Sequence, residues 1–193
     1  MPRKLKAKAP PTPAARKRDR DYGTSKFRPR ISTNCKDGVV VLRNGKEATD
    51  LELPVRLECD FEGVQIRWTK FADNRVQDAG VYNGDRALEE DGFRPTIQAP
   101  VWLEGAGLCS YESAAVLARQ AFEEIDDRSL TESPGVDQVP VIQLTDFETV
   151  KFSNGGSGKR PIWELAGFVP RRPEFTQYAA EKGIRIPTGA GAE

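Results

Sequence analysis

The stretch KFSNGGSGKRPIWELAGFVPRRPEF, Lys151 to Phe175, places a glycine-rich loop, two basic dipeptides and a run of apolar residues within twenty-five positions. Such a loop suggests anion chemistry. A phosphate cradle of the form G-x-x-x-x-G-K-[ST] rings phosphate with backbone N–H groups and holds magnesium through its final hydroxyl. Gly158-Lys159 supplies the G-K pair, but Ser153 stands where the first glycine belongs and Arg160 where the hydroxyl belongs. The segment that follows, PIWELAGFV, reads as a proline-led strand, so no helix N-terminus faces a bound anion. A nucleophile elbow around Ser157 fails as well, because G-x-S-x-G needs glycine where Lys159 stands.

Basic residues interleaved with aromatics are the remaining signal. Lys151, Phe152, Lys159, Arg160, Arg171 and Arg172 form one group, and Arg67, Trp68, Lys70 and Phe71 form another. On an open strand face, rings stack bases at about 1–3 kcal/mol each while Lys and Arg around them hold phosphate. The structural alternative puts Trp163, Leu165, Gly167 and Val169 on one face of a central strand and Ile162, Ala166 and Phe168 on the other, both buried.

Carboxylates are plentiful but adjacent to one another. Glu89, Glu90 and Asp91 splay on a loop, and Glu123, Glu124, Asp126 and Asp127 face outward on a helix, so both sets read as solvated surface. A carboxylate-only, metal-dependent nuclease using Glu58, Asp60 and Glu62 is the enzymatic alternative. Histidine is absent, which removes Ser-His-Asp and Cys-His machinery and histidine-ligated zinc. Cys35, Cys59 and Cys109 contain no C-x-x-C pair and read as reduced thiols in a cytosol. No metal or cofactor is expected.

The formal net charge of zero is a cancellation. Residues 1–31 hold eleven Lys or Arg against two Asp, residues 32–150 hold eleven against twenty-three acids, and residues 151–193 hold seven against four. The first segment has almost no large apolar residues and is interrupted by Pro10, Pro11 and Pro13, so a disordered basic arm is expected there. Its cations include Arg3, Lys4, Lys6, Lys8, Arg16, Lys17, Arg18 and Arg20, which suit a polyanion bound with release of counterions.

One globular domain, residues 32–187, must position these groups, with a disordered tail at 188–193. Val39 to Leu42 before Asn44-Gly45 predicts a hairpin. Alternation at Val55, Leu57, Cys59 and Phe61, then at Val64, Ile66 and Trp68, predicts an antiparallel pair. Residues 72–92 read as a long acidic loop, and 93–103, broken by Pro95 and Pro100, as an edge strand. A helix capped by Ser110 is expected over 110–127, then strands QVPVIQL, FETVKF and PIWELAGFV with a mobile hairpin loop at 153–160, then a short helix over 174–182.

The expected fold is mainly β (α+β): a small antiparallel OB-like barrel or bent sheet with one packed helix, a short C-terminal helix and the basic arm. The expected function is non-enzymatic nucleic-acid binding. Single-stranded DNA with little sequence specificity is preferred, RNA or duplex DNA are further options, and the setting is replication or repair of a phage or mobile element. The alternative is a structural or adaptor protein of a virion or assembly, whose arm docks on nucleic acid or an acidic partner while the acidic middle binds a protein. No secretory signal or membrane-spanning run is visible, so a cytoplasmic or nucleoid-associated location is expected.

Overall fold

Residues 28–72 and 75–186 are described by a computed structural model of the chain. In chain order they form β1 (Arg30–Asn34), β2 (Val39–Asn44), β3 (Glu47–Leu51), β4 (Val55–Cys59), a 3-10 turn (Phe61–Gly63), β5 (Gln65–Ala72), β6 (Arg75–Val81), α1 (Arg86–Glu90), β7 (Arg94–Leu103), β8 (Gly107–Ser113), α2 (Val116–Glu132), β9 (Gln138–Lys151), β10 (Ser157–Pro170) and α3 (Pro173–Lys182). The protein is mainly β, with α2 and α3 packed on one sheet.

The sheet runs β10-β9-β4-β7-β8-β1-β2-β3, with β5 and β6 branching from β7 beside β4. Every pairing is antiparallel except β1 with β8. It bends far enough for the Lys159 N–H to donate to the Cys35 carbonyl at 2.6 Å. No ladder between β10 and β1 accompanies that bond, so this is a bent sheet and not a closed barrel.

The concave face holds the core. Alternation turns Val55, Leu57 and Cys59 of β4, Ile97, Ala99 and Val101 of β7 and Cys109 and Tyr111 of β8 inward. Ala118, Ala121, Phe122, Ile125 and Ser129 recur at helical spacing on α2 and close over them. Phe122 stacks on Tyr111 with ring centroids 5.0 Å apart, and Trp163 meets Tyr111 edge-on. α3 lies against the other face, where Arg172 sits 4.3 Å over the Trp102 ring. Pro173 opens that helix and Gly183, at φ 68°, closes it, matching the expected segment.

The expected hairpin forms, with Gly45-Lys46 as its two-residue turn and Gly45 at φ 62°. Several other boundaries moved. β4 and β5 do not pair with each other. Both run antiparallel to β7 along one of its sides, separated by the 3-10 turn. β7 is therefore central, not an edge. Pro100, which has no N–H to give, falls in the gap between the β4 and β5 pairings, where a missing donor interrupts no ladder.

The expected acidic loop at 72–92 is instead the return strand β6 and the one-turn helix α1, capped by Asp85 accepting from the Ala87 N–H at 2.9 Å. β6 is exposed along most of its length and so lacks a period-two signature. Ser110 lies in β8, not at a helix cap, and α2 runs to Glu132. QVPVIQL and FETVKF are one continuous strand, β9. The β9–β10 loop is only Phe152–Gly156, so Gly158, Lys159 and Arg160 belong to a strand. β10 is an edge strand. Residues 1–27 and 187–193, which hold most of the expected arm and the whole tail, lie outside the described residues, but Arg30 and Ile31 belong to β1 and Ile31 is fully buried.

Candidate nucleic-acid interface

Arg3, Lys4, Lys6, Lys8, Arg16, Lys17, Arg18 and Arg20 lie outside the described residues. The other candidates fall in three separate places: β5, the turn end of the β9–β10 hairpin, and the end of β10.

On β5, Arg67 grips Asp78 of β6 through two hydrogen bonds, Nε to Oδ2 at 2.8 Å and Nη2 to Oδ1 at 3.1 Å. This fork geometry leaves little of its charge for phosphate. Trp68 corrects the stacking expectation. It is 2% exposed, its Nε1 donates to Asn83 Oδ1 at 3.0 Å, and Tyr82 lies 4.7 Å from its ring. A ring so enclosed offers no face to a base. Lys70 Nζ donates to the Asp91 carbonyl at 2.9 Å, and Phe71 pairs with Val76 in the ladder.

At the hairpin end, Lys151 and Phe152 are exposed, Phe152 by 42%. Lys159 donates to Thr149 Oγ1 at 2.9 Å. Arg160 donates to Glu148 at 2.8 Å and also to Glu124 of α2, so two carboxylates share one guanidinium. At the far end of β10, Arg172 holds Glu58 of β4 in a fork, 2.5 and 2.6 Å, and Arg171 Nη1 lies 3.2 Å from Asp60.

Asp60 has no solvent exposure. Burial pushes its carboxyl above the ordinary range, and Arg171 together with the Glu62 backbone opposes that rise. A groove of about 170 Å³ adjoins the pair, walled by Phe61, Leu130, Val136, Val139, Pro140 and Phe168. Asp60 and Arg171 belong to its lining, and the Arg171 side chain keeps 11% of its surface exposed, although Asp60 Oδ1 and Arg171 Nε are themselves buried without hydrogen-bond partners. A wider hollow of about 340 Å³ separates α2 from β10, and Glu124, Glu148, Arg128 and Arg160 line it in balanced charge. Asp126, on α2, is raised to about 6 by burial first, then by Asp127 and Glu62.

Glu58 and Asp60, two of the three carboxylates of the nuclease alternative, are thus engaged by arginines. Among the described residues no three His, Cys, Asp or Glu side chains gather where they could hold a metal ion, and no helix is long and apolar enough to cross a membrane. Sequence reasoning missed the carboxylate partners because they come from strands 111 to 114 residues away, where no local spacing reveals them. Comparison with protein-family models, with curated proteins and with solved structures gives no match for this chain.

Proposed function

We propose that the protein binds nucleic acid without catalysis, chiefly through phosphate contacts made by its basic N-terminal segment, with the β domain as an acidic carrier. The observation that supports this reading most directly is the segregation of usable charge. Residues 1–27 hold nine Lys or Arg against two Asp, whereas Arg67, Arg160, Arg171 and Arg172 of the sheet are each engaged by carboxylates. Of Trp68 and Phe152, only Phe152 keeps an open ring, beside Lys151, and that pair is the sheet's contribution to a single-strand preference.

Fluorescence anisotropy against salt tests the reading with single-stranded DNA, duplex DNA and RNA. Replacing Arg16, Lys17, Arg18 and Arg20 by Gln makes the slope of log affinity against log salt shallower by about 3 for a single strand. Phe152→Ala weakens single-strand binding about fivefold and leaves duplex binding unchanged. An unchanged slope in the four-site variant overturns the reading.

A second reading has its own observation. Residues 28–186 carry twenty Lys or Arg against twenty-six Asp or Glu, an acidic surface suited to a basic protein. An adaptor of this kind is favoured if the full chain binds none of the three nucleic acids.

A further inference from the structure

β3 ends the sheet, and among the described residues it pairs only with β2. Glu47, Ala48, Thr49 and Asp50 are all exposed, so neither face of the strand is covered along those four residues. Such an edge is a template for another strand.

Its hydrogen-bonding direction follows from the turn. Asn44 and Glu47 flank Gly45-Lys46 and bond to each other, as residues flanking a two-residue turn do. Bonded and non-bonded pairs then alternate, so Glu47, Thr49 and Leu51 turn their N–H and C=O groups toward β2. Ala48 and Asp50 turn theirs outward.

An antiparallel second copy fits this edge in the register that sets Thr49 opposite its own mate. Ala48 then bonds with Asp50 of the other copy, which is the parity the outward groups require. Glu47 faces Leu51. Lys46 faces Glu52, an opposite-charge pair made twice by the symmetry. The register one step along, with Asp50 opposite Asp50, sets two like charges together.

We infer that two copies of this chain join edge to edge through β3, making one continuous sheet about a two-fold axis. The pairing does not depend on nucleic acid. It places the two β1 strands, and with them the points where residues 1–27 join the fold, about five strand spacings or 24 Å apart. Two basic segments on one body raise the effective concentration for a shared polyanion, a consequence that rests on the proposed function.

Sedimentation velocity of the full chain at about 100 µM, without nucleic acid, tests the pairing itself. A species of twice the 21.4 kDa chain mass is expected. Ala48→Pro removes an outward N–H that β2 does not use, so it leaves circular dichroism and melting unchanged and returns the protein to monomer. Lys46→Glu weakens association about tenfold, and adding Glu52→Lys restores it, because the pair is re-formed with reversed signs. A monomeric full chain, or a dimer indifferent to both Ala48→Pro and the charge swap, overturns the proposal. A dimer that binds no nucleic acid leaves the pairing standing and removes only the polyanion consequence.

Discussion

Asp126→Asn should stabilise the protein at neutral pH and above, and progressively less as the solution is made acid. Asp126 lies partly buried on α2, with Asp127 beside it and Glu62 of the 3-10 turn facing it. Burial, then those two carboxylates, raises its pKa from 3.8 to about 6. An acid whose folded pKa exceeds its unfolded value binds its proton more tightly in the folded state. Its contribution is therefore most favourable below about 3.8, declines as pH rises toward about 6, and stays at its least favourable above that. The gap corresponds to at most about 3 kcal/mol. Asp126 keeps part of its surface in water, so solvent screening reduces the expected gain to about 1–2 kcal/mol.

The assay is urea unfolding of the wild type and Asp126→Asn in half-unit steps from pH 4 to pH 8. Asp60, whose carboxyl is also raised, and every other group shared by the two proteins drop out of the difference between the curves. The difference should be smallest at pH 4, grow as pH rises and reach its plateau by about pH 7. Parallel curves across the whole range would falsify the argument, since they would mean that the carboxylate ionises as easily in the fold as outside it.

Two further perturbations address the packing around the 3-10 turn. Arg171→Met leaves the Asp60 carboxylate buried without its partner and should cost about 3–5 kcal/mol in urea unfolding, while Asp60→Asn combined with Arg171→Met should cost less than the two single changes together; additivity in that cycle refutes the coupling. Gly63→Ala brings a Cβ to 2.5 Å from the Pro100 ring, which cannot rotate away, and should cost about 1–3 kcal/mol by the same measurement. Gly158→Ala should cost less, because its 2.8 Å neighbour is the mobile end of Leu117.

The fold was legible wherever one face of an element is apolar and the other wet. The alternation in β4 and β5 and the apolar stripe of α2 each carry their own periodicity and are found as elements, and the Asn44-Gly45 signal marks a hairpin whose turn is Gly45-Lys46. β6 was not legible, because a strand exposed on nearly all sides has no period to read. Which strands pair was legible only across the two hairpin loops, between β2 and β3 and between β9 and β10. β4 and β5 carry the right pattern for partners, yet both lean on β7, and nothing within a strand states which neighbour it will meet. The candidate site suffered most from this. Trp68 and Arg67 look like an open basic-aromatic pair in sequence, and Asn83 and Asp78, which occupy them, sit in a segment that reads as loop.

The arginines of β10 have a structural task that the pairing register explains. In the β9–β10 hairpin, Thr145 on one strand and Ala166 on the other are extra residues, and Gly167 at φ 130° takes up the second irregularity. Of the β10 residues only Pro161 and Trp163 are buried, so its apolar pattern alone selects the register weakly. Ion pairs at both ends remove that freedom. Arg160 joins β10 to Glu148 of β9 and Glu124 of α2, while Arg171 and Arg172 join its other end to Asp60 and Glu58 at the end of β4. A one-residue slip would break all of these contacts at once and strand Asp60 as a buried, unpaired charge. Buried ion pairs often add little net stability, but these penalise the nearest wrong register heavily. The same geometry explains why Arg160, Arg171 and Arg172, which read as phosphate contacts in the sequence, are occupied in the fold.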